Sequence, residues 1–260
     1  MTPLEHDRYC DEVVNQTNLL GDVVAGADLS VTVPTTPDWS LEALLRHIGG
    51  NLRSLEQAVR TGTPVTEPER QVPGHGGPAG HDPAALTAWL AEAAQRCAGT
   101  LRAAGPAAEA QVWVFRWPTV RWARRAANDL VVHRADAAGA VGAGYGVAPE
   151  LAADAIDELL WLMSAPAVAT SPAMAELRTR EGSIHLHATD PGFPAEWLIE
   201  LGPDGFRWRR DHGRATVAVR GPLDDLLRVF HRRLPADSDR VEVVGDAELL
   251  RFWLDRVSLT

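Results

Sequence analysis

Asp129 and His133 stand four residues apart in the segment Trp122-Ala-Arg-Arg-Ala-Ala-Asn-Asp129-Leu-Val-Val-His133. At helical spacing Trp122, Ala126, Asp129 and His133 share one face. Leu130 and Ala137 fall on that face too, so it points into a core. A carboxylate there needs a partner, because an unpaired buried charge is costly and shifts its pKa instead. A divalent metal ion is one such partner. His47, three residues after Leu44 on the rim of another apolar stripe, is a third candidate ligand. Two imidazoles and one carboxylate from two helices make a three-ligand site with open coordination positions. Helical bundles build metal sites in this way. Simpler partners also fit the spacing: Asp129 can pair with Arg125 or Arg134, and His133 can be a satisfied core histidine.

The elements that must position these residues follow from periodicity. Tyr9, Val13, Val14, Leu19 and Leu20 give a first helical stripe. Ser40 is an N-cap and Glu42 sits in the first turn of a second helix, where the dipole favours an anion. Leu41, Leu44, Leu45, Ile48, Leu52 and Leu55 follow at helical spacing. Gly62 to Asp82 is rich in Gly and Pro and reads as a loop, and 84–104 as a third helix. A Gly/Ala/Pro turn precedes Trp113. A fourth helix spans about 119–138 and a fifth about 148–164. Beyond Pro166 the texture changes to short strands at 183–189, 196–201, 206–209, 215–219 and 241–244, with helices at 223–234 and 247–256. Gly202-Pro-Asp-Gly205 reads as a hairpin turn. The expected fold class is therefore α + (α+β): a helical domain over 1–165, a linker around 165–180, and a small α+β domain over 180–260. No internal repeat is evident.

Composition narrows the partners. The chain of 260 residues has no lysine; its 25 arginines face 35 acidic residues, giving a formal net charge of −10. Such a balance argues against nucleic acid and anionic membranes as partners. Two cysteines cannot build a disulfide framework or a Cys-rich zinc module, and Cys10 and Cys97 read as reduced core or rim residues. No apolar run reaches the roughly 18 residues of a membrane span. The polar start, Met1 to Arg8, does not read as a signal peptide, so a cytoplasmic location is expected.

Val33-Pro34-Thr-Thr-Pro37-Asp-Trp39-Ser40-Leu-Glu-Ala-Leu-Leu45-Arg-His47-Ile-Gly49 resembles the start of the mycothiol-dependent maleylpyruvate isomerase family, a branch of the DinB-like metalloenzymes. Trp122 to Asp136 is similar to its second motif. The stretch from Ile184-His-Leu-His-Ala-Thr189 to Val241-Glu-Val-Val-Gly-Asp246 is similar to its sterol-carrier-like C-terminal domain. The resemblance implies a DinB-like four-helix bundle whose divalent metal, usually zinc, is held by His, Glu and His. His47 and His133 fall on the histidine positions. Asp129 falls where the family usually has Glu, and Asn128 where a His is common. Asp is one methylene shorter, while metal–oxygen bonds are about 2.0–2.2 Å.

The resemblance further implies mycothiol, the actinobacterial low-molecular-weight thiol, as cosubstrate, and a small electrophile as substrate. A free thiol has a pKa near about 8.5, and coordination to a divalent metal deprotonates it. Thiolate addition to an activated double bond permits rotation and elimination, which is cis–trans isomerisation. A retained adduct makes the enzyme a thiol S-transferase. Water in the open position makes it a hydrolase, and loss of the metal leaves a binding protein on the same scaffold. Sugar-like and carboxylate ligands call for aromatic platforms and arginines. Trp117, Arg121, Trp122 and Arg125 precede or enter the ligand helix, and Arg220 at a strand end of the second domain could reach over the metal.

Other signals carry less. Gly139-Ala-Val-Gly142-Ala-Gly144-Tyr-Gly146 follows a helix rather than a strand, so it reads as an inter-helix loop and not as a dinucleotide motif. His185 and His187 share a strand face, but no carboxylate neighbour is evident in sequence, and they read as exposed strand histidines. His75 and His81, in the Gly/Pro loop, read as solvated.

Overall fold

A computed structural model describes residues 4–165, 168 and 170–257. The chain divides into two compact units, 2–145 and 146–260.

The first unit is built on α1 (His6–Val24), α2 (Leu41–Thr61), α4 (Pro83–Ala104) and α5 (Thr119–Val141), with a short α3 (Pro68–Gln71) inside the expected loop. The long helices are those that the apolar spacing predicts. Tyr9, Val13 and Leu20 of α1, and Leu41, Leu44, Leu45, Ile48, Leu52 and Leu55 of α2, are buried together. Ser40 caps α2, its hydroxyl accepting from the Ala43 N–H (3.2 Å). α2 packs on α4 and α1 on α5. The α2–α4 approach depends on Gly49: a Cβ there would lie 2.2 Å from the Trp89 ring. Gly142 ends α5 in the left-handed conformation (φ 67°), which identifies the glycine-rich stretch as a helix cap and connector.

Two β-hairpins were not expected. β1 (Thr32–Val33) pairs with β2 (Thr36–Ser40), and β3 (Glu109–Val112) with β4 (Phe115–Pro118). Both are short, and Pro34, Pro37 and Pro118 hide their alternation. The second is fastened to α5 by the Trp122 indole, which donates to the Ala110 carbonyl (3.0 Å).

The second unit begins earlier than the expected linker. Residues 166, 167 and 169 of that linker lie outside the described residues, and Pro172–Leu177 forms a short α7. The helix read as the fifth of the N-terminal domain, α6 (Pro149–Ser164), belongs to the second unit. Its Asp157 accepts from the Trp197 indole (2.8 Å) and from Arg210 Nη2 (2.8 Å). These contacts, invisible to periodicity, tie the helix to a five-stranded sheet. That sheet contains β5 (Gly182–Ala188), β6 (Glu196–Gly202), β7 (Gly205–Arg209), β8 (Val217–Gly221) and β9 (Glu242–Gly245), in the order β7-β6-β5-β8-β9. β5 and β8 are parallel and the other neighbours antiparallel. β6 and β7 turn through the expected Gly202–Gly205 hairpin. α8 (Leu223–Phe230) packs on α6, and α9 (Ala247–Leu254) follows β9. Among the described residues no helix is long and apolar enough to cross a membrane.

Candidate metal centre

His47, Asp129 and His133 meet inside the first unit: each offers a ligand atom, and these atoms lie within 4.8 Å of one another. α5 supplies two of them one helical turn apart, with His133 Nε2 3.7 Å from Asp129 Oδ1. α2 supplies the third, and the His47 ring meets the His133 ring edge-on at 5.2 Å.

Each candidate ligand is held by a neighbour. His133 Nδ1 lies 2.9 Å from Asp136 Oδ2, and the buried Asp136 also accepts from the Thr35 hydroxyl. An ionised carboxylate only accepts, so Nδ1 carries a proton and Nε2 is the ring atom directed towards Asp129. An imidazole nitrogen and a carboxylate oxygen one helical turn apart are a donor pair that a divalent cation accepts. This carboxylate–histidine arrangement is the usual support of a metal-bound imidazole. His47 Nε2 lies 3.0 Å from the Asn51 side-chain amide, and Trp39 packs on the ring at 4.8 Å.

The electrostatics suit ligands. Burial and the nearby His133 lower the His47 pKa, so the ring stays neutral at neutral pH. Burial alone would raise the Asp129 pKa, but Arg125, His133 and His47 more than offset it and hold the carboxyl well below its usual range. Arg125 Nη2 donates to Asp129 Oδ1 (2.5 Å), so the simple i−4 pair weighed from sequence is also present. Arg134 instead donates to Gln16 (2.9 Å) and lies over the Tyr145 ring.

The expected ligand-binding residues separate. Trp117 packs against Trp122 (4.7 Å) and Phe115 (4.6 Å). Trp122 is buried, with its N–H committed to the hairpin, so it supports the site rather than lining it. Arg121 is exposed on α5. Arg220 is in the other unit, exposed and 3.4 Å from Glu242. Asp136, Asn51 and Thr35 were missed, although Asp136 at i+3 from His133 and Asn51 at i+4 from His47 were available as signals.

Two histidine readings need correcting. His75 is half-buried against Gly50 rather than solvated, whereas His81 is exposed, 2.9 Å from Glu42. His185 is buried, and both it and His187 do have a carboxylate neighbour in Glu196, at 2.7 and 3.3 Å. Strand pairing creates that neighbour across a gap in sequence.

Residues 10–138 match the family model of the mycothiol maleylpyruvate isomerase N-terminal domain, and residues 150–252 that of the MDMPI C-terminal domain. Among solved structures, the chain is similar to a crystal structure of the mycothiol-dependent maleylpyruvate isomerase. The TM-score is 0.56 at 15% identity, covering 94% of this chain and 95% of that one. A histidine-to-alanine mutant of that enzyme gives the same values. At this identity the likeness is one of fold. No curated protein matches the sequence.

Proposed function

Because the chain belongs to the mycothiol-dependent maleylpyruvate isomerase family, we propose that it is a cytoplasmic, metal-dependent enzyme using mycothiol to attack a small electrophilic substrate. The observation that carries this reading is the convergence of His47, Asp129 and His133, with Asp136 fixing the His133 tautomer. A divalent ion held there, zinc by donor type, supplies a Lewis acid that keeps a thiol ionised at neutral pH. The chain's own residues do the rest. Three protein ligands leave room for a cosubstrate. Asp136 and Asn51 hold the two imidazoles in place. Arg125, already drawn to Asp129, brings a guanidinium beside the site, where it can meet a substrate carboxylate.

The reaction is conjugate addition. The thiol sulfur bonds to one alkene carbon and the π pair moves towards the activating carbonyl. The new single bond rotates, and expulsion of the thiolate restores a double bond of opposite geometry. The thiol is regenerated, so the net change is isomerisation. An S-transferase differs only in that the adduct leaves intact.

The Arg125–Asp129 pair favours one rival, a metal-free binding protein in which the arginine takes the cation's place. A cobalt-substituted, untagged sample separates the two. On addition of mycothiol, a thiolate-to-cobalt absorption band is expected in the native chain and not in His133→Ala. A native chain that shows no band with thiol overturns the thiol mechanism. If His133→Ala retains all the metal of the native chain, the site itself is wrong.

A further inference from the structure

A second cluster lies in the other unit and is not used by the chemistry above. In the β5–β6 register, His187 sits opposite Glu196 and His185 opposite Leu198, so His185, His187 and Glu196 share one face of the sheet. β7 pairs Arg209 with Leu198, and the chain beyond it runs back beside Glu196 and delivers His212. Glu196 Oε2 lies 2.7 Å from His185 Nε2 and 2.6 Å from His212 Nδ1, and Oε1 lies 3.3 Å from His187 Nδ1. The three rings stand edge-on at 5.2 to 6.4 Å between centroids. Three imidazole nitrogens and one carboxylate converge here, a donor set that divalent transition-metal ions favour. A divalent cation among the four satisfies them together.

We propose that the second unit holds its own divalent transition-metal ion, liganded by His185, His187, Glu196 and His212. Three imidazoles with one carboxylate suit zinc or a neighbouring first-row ion and not calcium or magnesium, which take oxygen. The four ligand atoms lie within 4.8 Å of one another. Two ligand atoms on one tetrahedral zinc stand about 3.4 Å apart, so no pair has to close by more than roughly 1.4 Å. His212, with its side chain 76% exposed, has the freedom to make that movement. Four protein ligands fill a tetrahedral ion, as in structural sites. The ion therefore clamps the segment after β7 onto β5 and β6, in contrast to the three-ligand site of the first unit.

The test is a zinc titration by calorimetry on the full chain carrying His47→Ala and His133→Ala, which silences the first cluster. One equivalent is expected to remain, and to disappear on adding His212→Ala or His185→Gln. Cobalt in place of zinc should give the intense visible bands of a tetrahedral ion. A folded double variant that binds no zinc, or binding that survives both added substitutions, overturns the proposal and leaves a metal-free histidine–carboxylate cluster. If the double variant does not fold by circular dichroism, the native chain decides: two equivalents should fall to one in His212→Ala, whose exposed side chain has no part in the core. Unchanged stoichiometry there overturns the proposal. Failure of the first site would show instead as unchanged stoichiometry in His133→Ala.

Discussion

Asp136 shows how much of the site rests on a residue that need not touch a metal. It fixes the proton of His133 at Nδ1 and is itself held by Thr35. Asp136→Asn keeps the shape but can turn an amide N–H towards the ring. Zinc affinity, read by competition with a chelator, should fall roughly 10–100-fold, with helix content unchanged. Sequence nominated His47, Asp129 and His133 because they lie on apolar stripes, where charged groups stand out. Asp136 did not stand out, since an acid three residues from a histidine is commonplace until burial gives it meaning. The cysteines make a second residue-scale prediction. Both are free and buried, and burial pushes the Cys10 thiol up to about 11. Folding therefore favours its neutral form. That contribution is complete below the unfolded value of about 8.5 and is lost as pH rises through the folded one. The thermal midpoint should drop between about pH 8 and about pH 11, and less steeply in Cys10→Ala.

Among the elements, α2 was the most legible, because Ser40, Glu42 and six leucine or isoleucine positions agree on start and face. The hairpins β1–β2 and β3–β4 were not, being too short for alternation and interrupted by proline. Tertiary fastening makes them, as in the Trp122 indole's bond to Ala110. Gly49 was equally silent: nothing in its neighbours says that a Trp89 ring will lie on it. Gly49→Ala forces α2 and α4 apart, and overpacking of this kind costs about 1–3 kcal/mol. The urea midpoint should fall accordingly. Because His47 lies two residues before it on the same helix, zinc affinity should fall as well. A variant that packs normally but loses no affinity would show that α2 yields away from the site.

At the scale of the molecule, texture along the chain indicated two units but misplaced their boundary. Helical periodicity cannot say which core a helix serves, and α6 is assigned by Asp157, Trp197 and Arg210. The second unit has its own sheet and core, so 146–260 produced alone should unfold in one cooperative transition. Added zinc should raise its melting temperature; a fragment without a cooperative transition would refute its independence. The His185 cluster was illegible for the same reason as the boundary, since strand register, unlike helical spacing, is not written locally. In the first unit the candidate ligands are unevenly distributed: Asp129 and His133, with the supporting Asp136, travel on α5, and His47 alone on α2. Their geometry then has one loose coordinate, the offset between those two helices. The bundle acts as a caliper with α2 and α5 as its jaws, and an ion held between them would gauge any ligand that slides one jaw along the other.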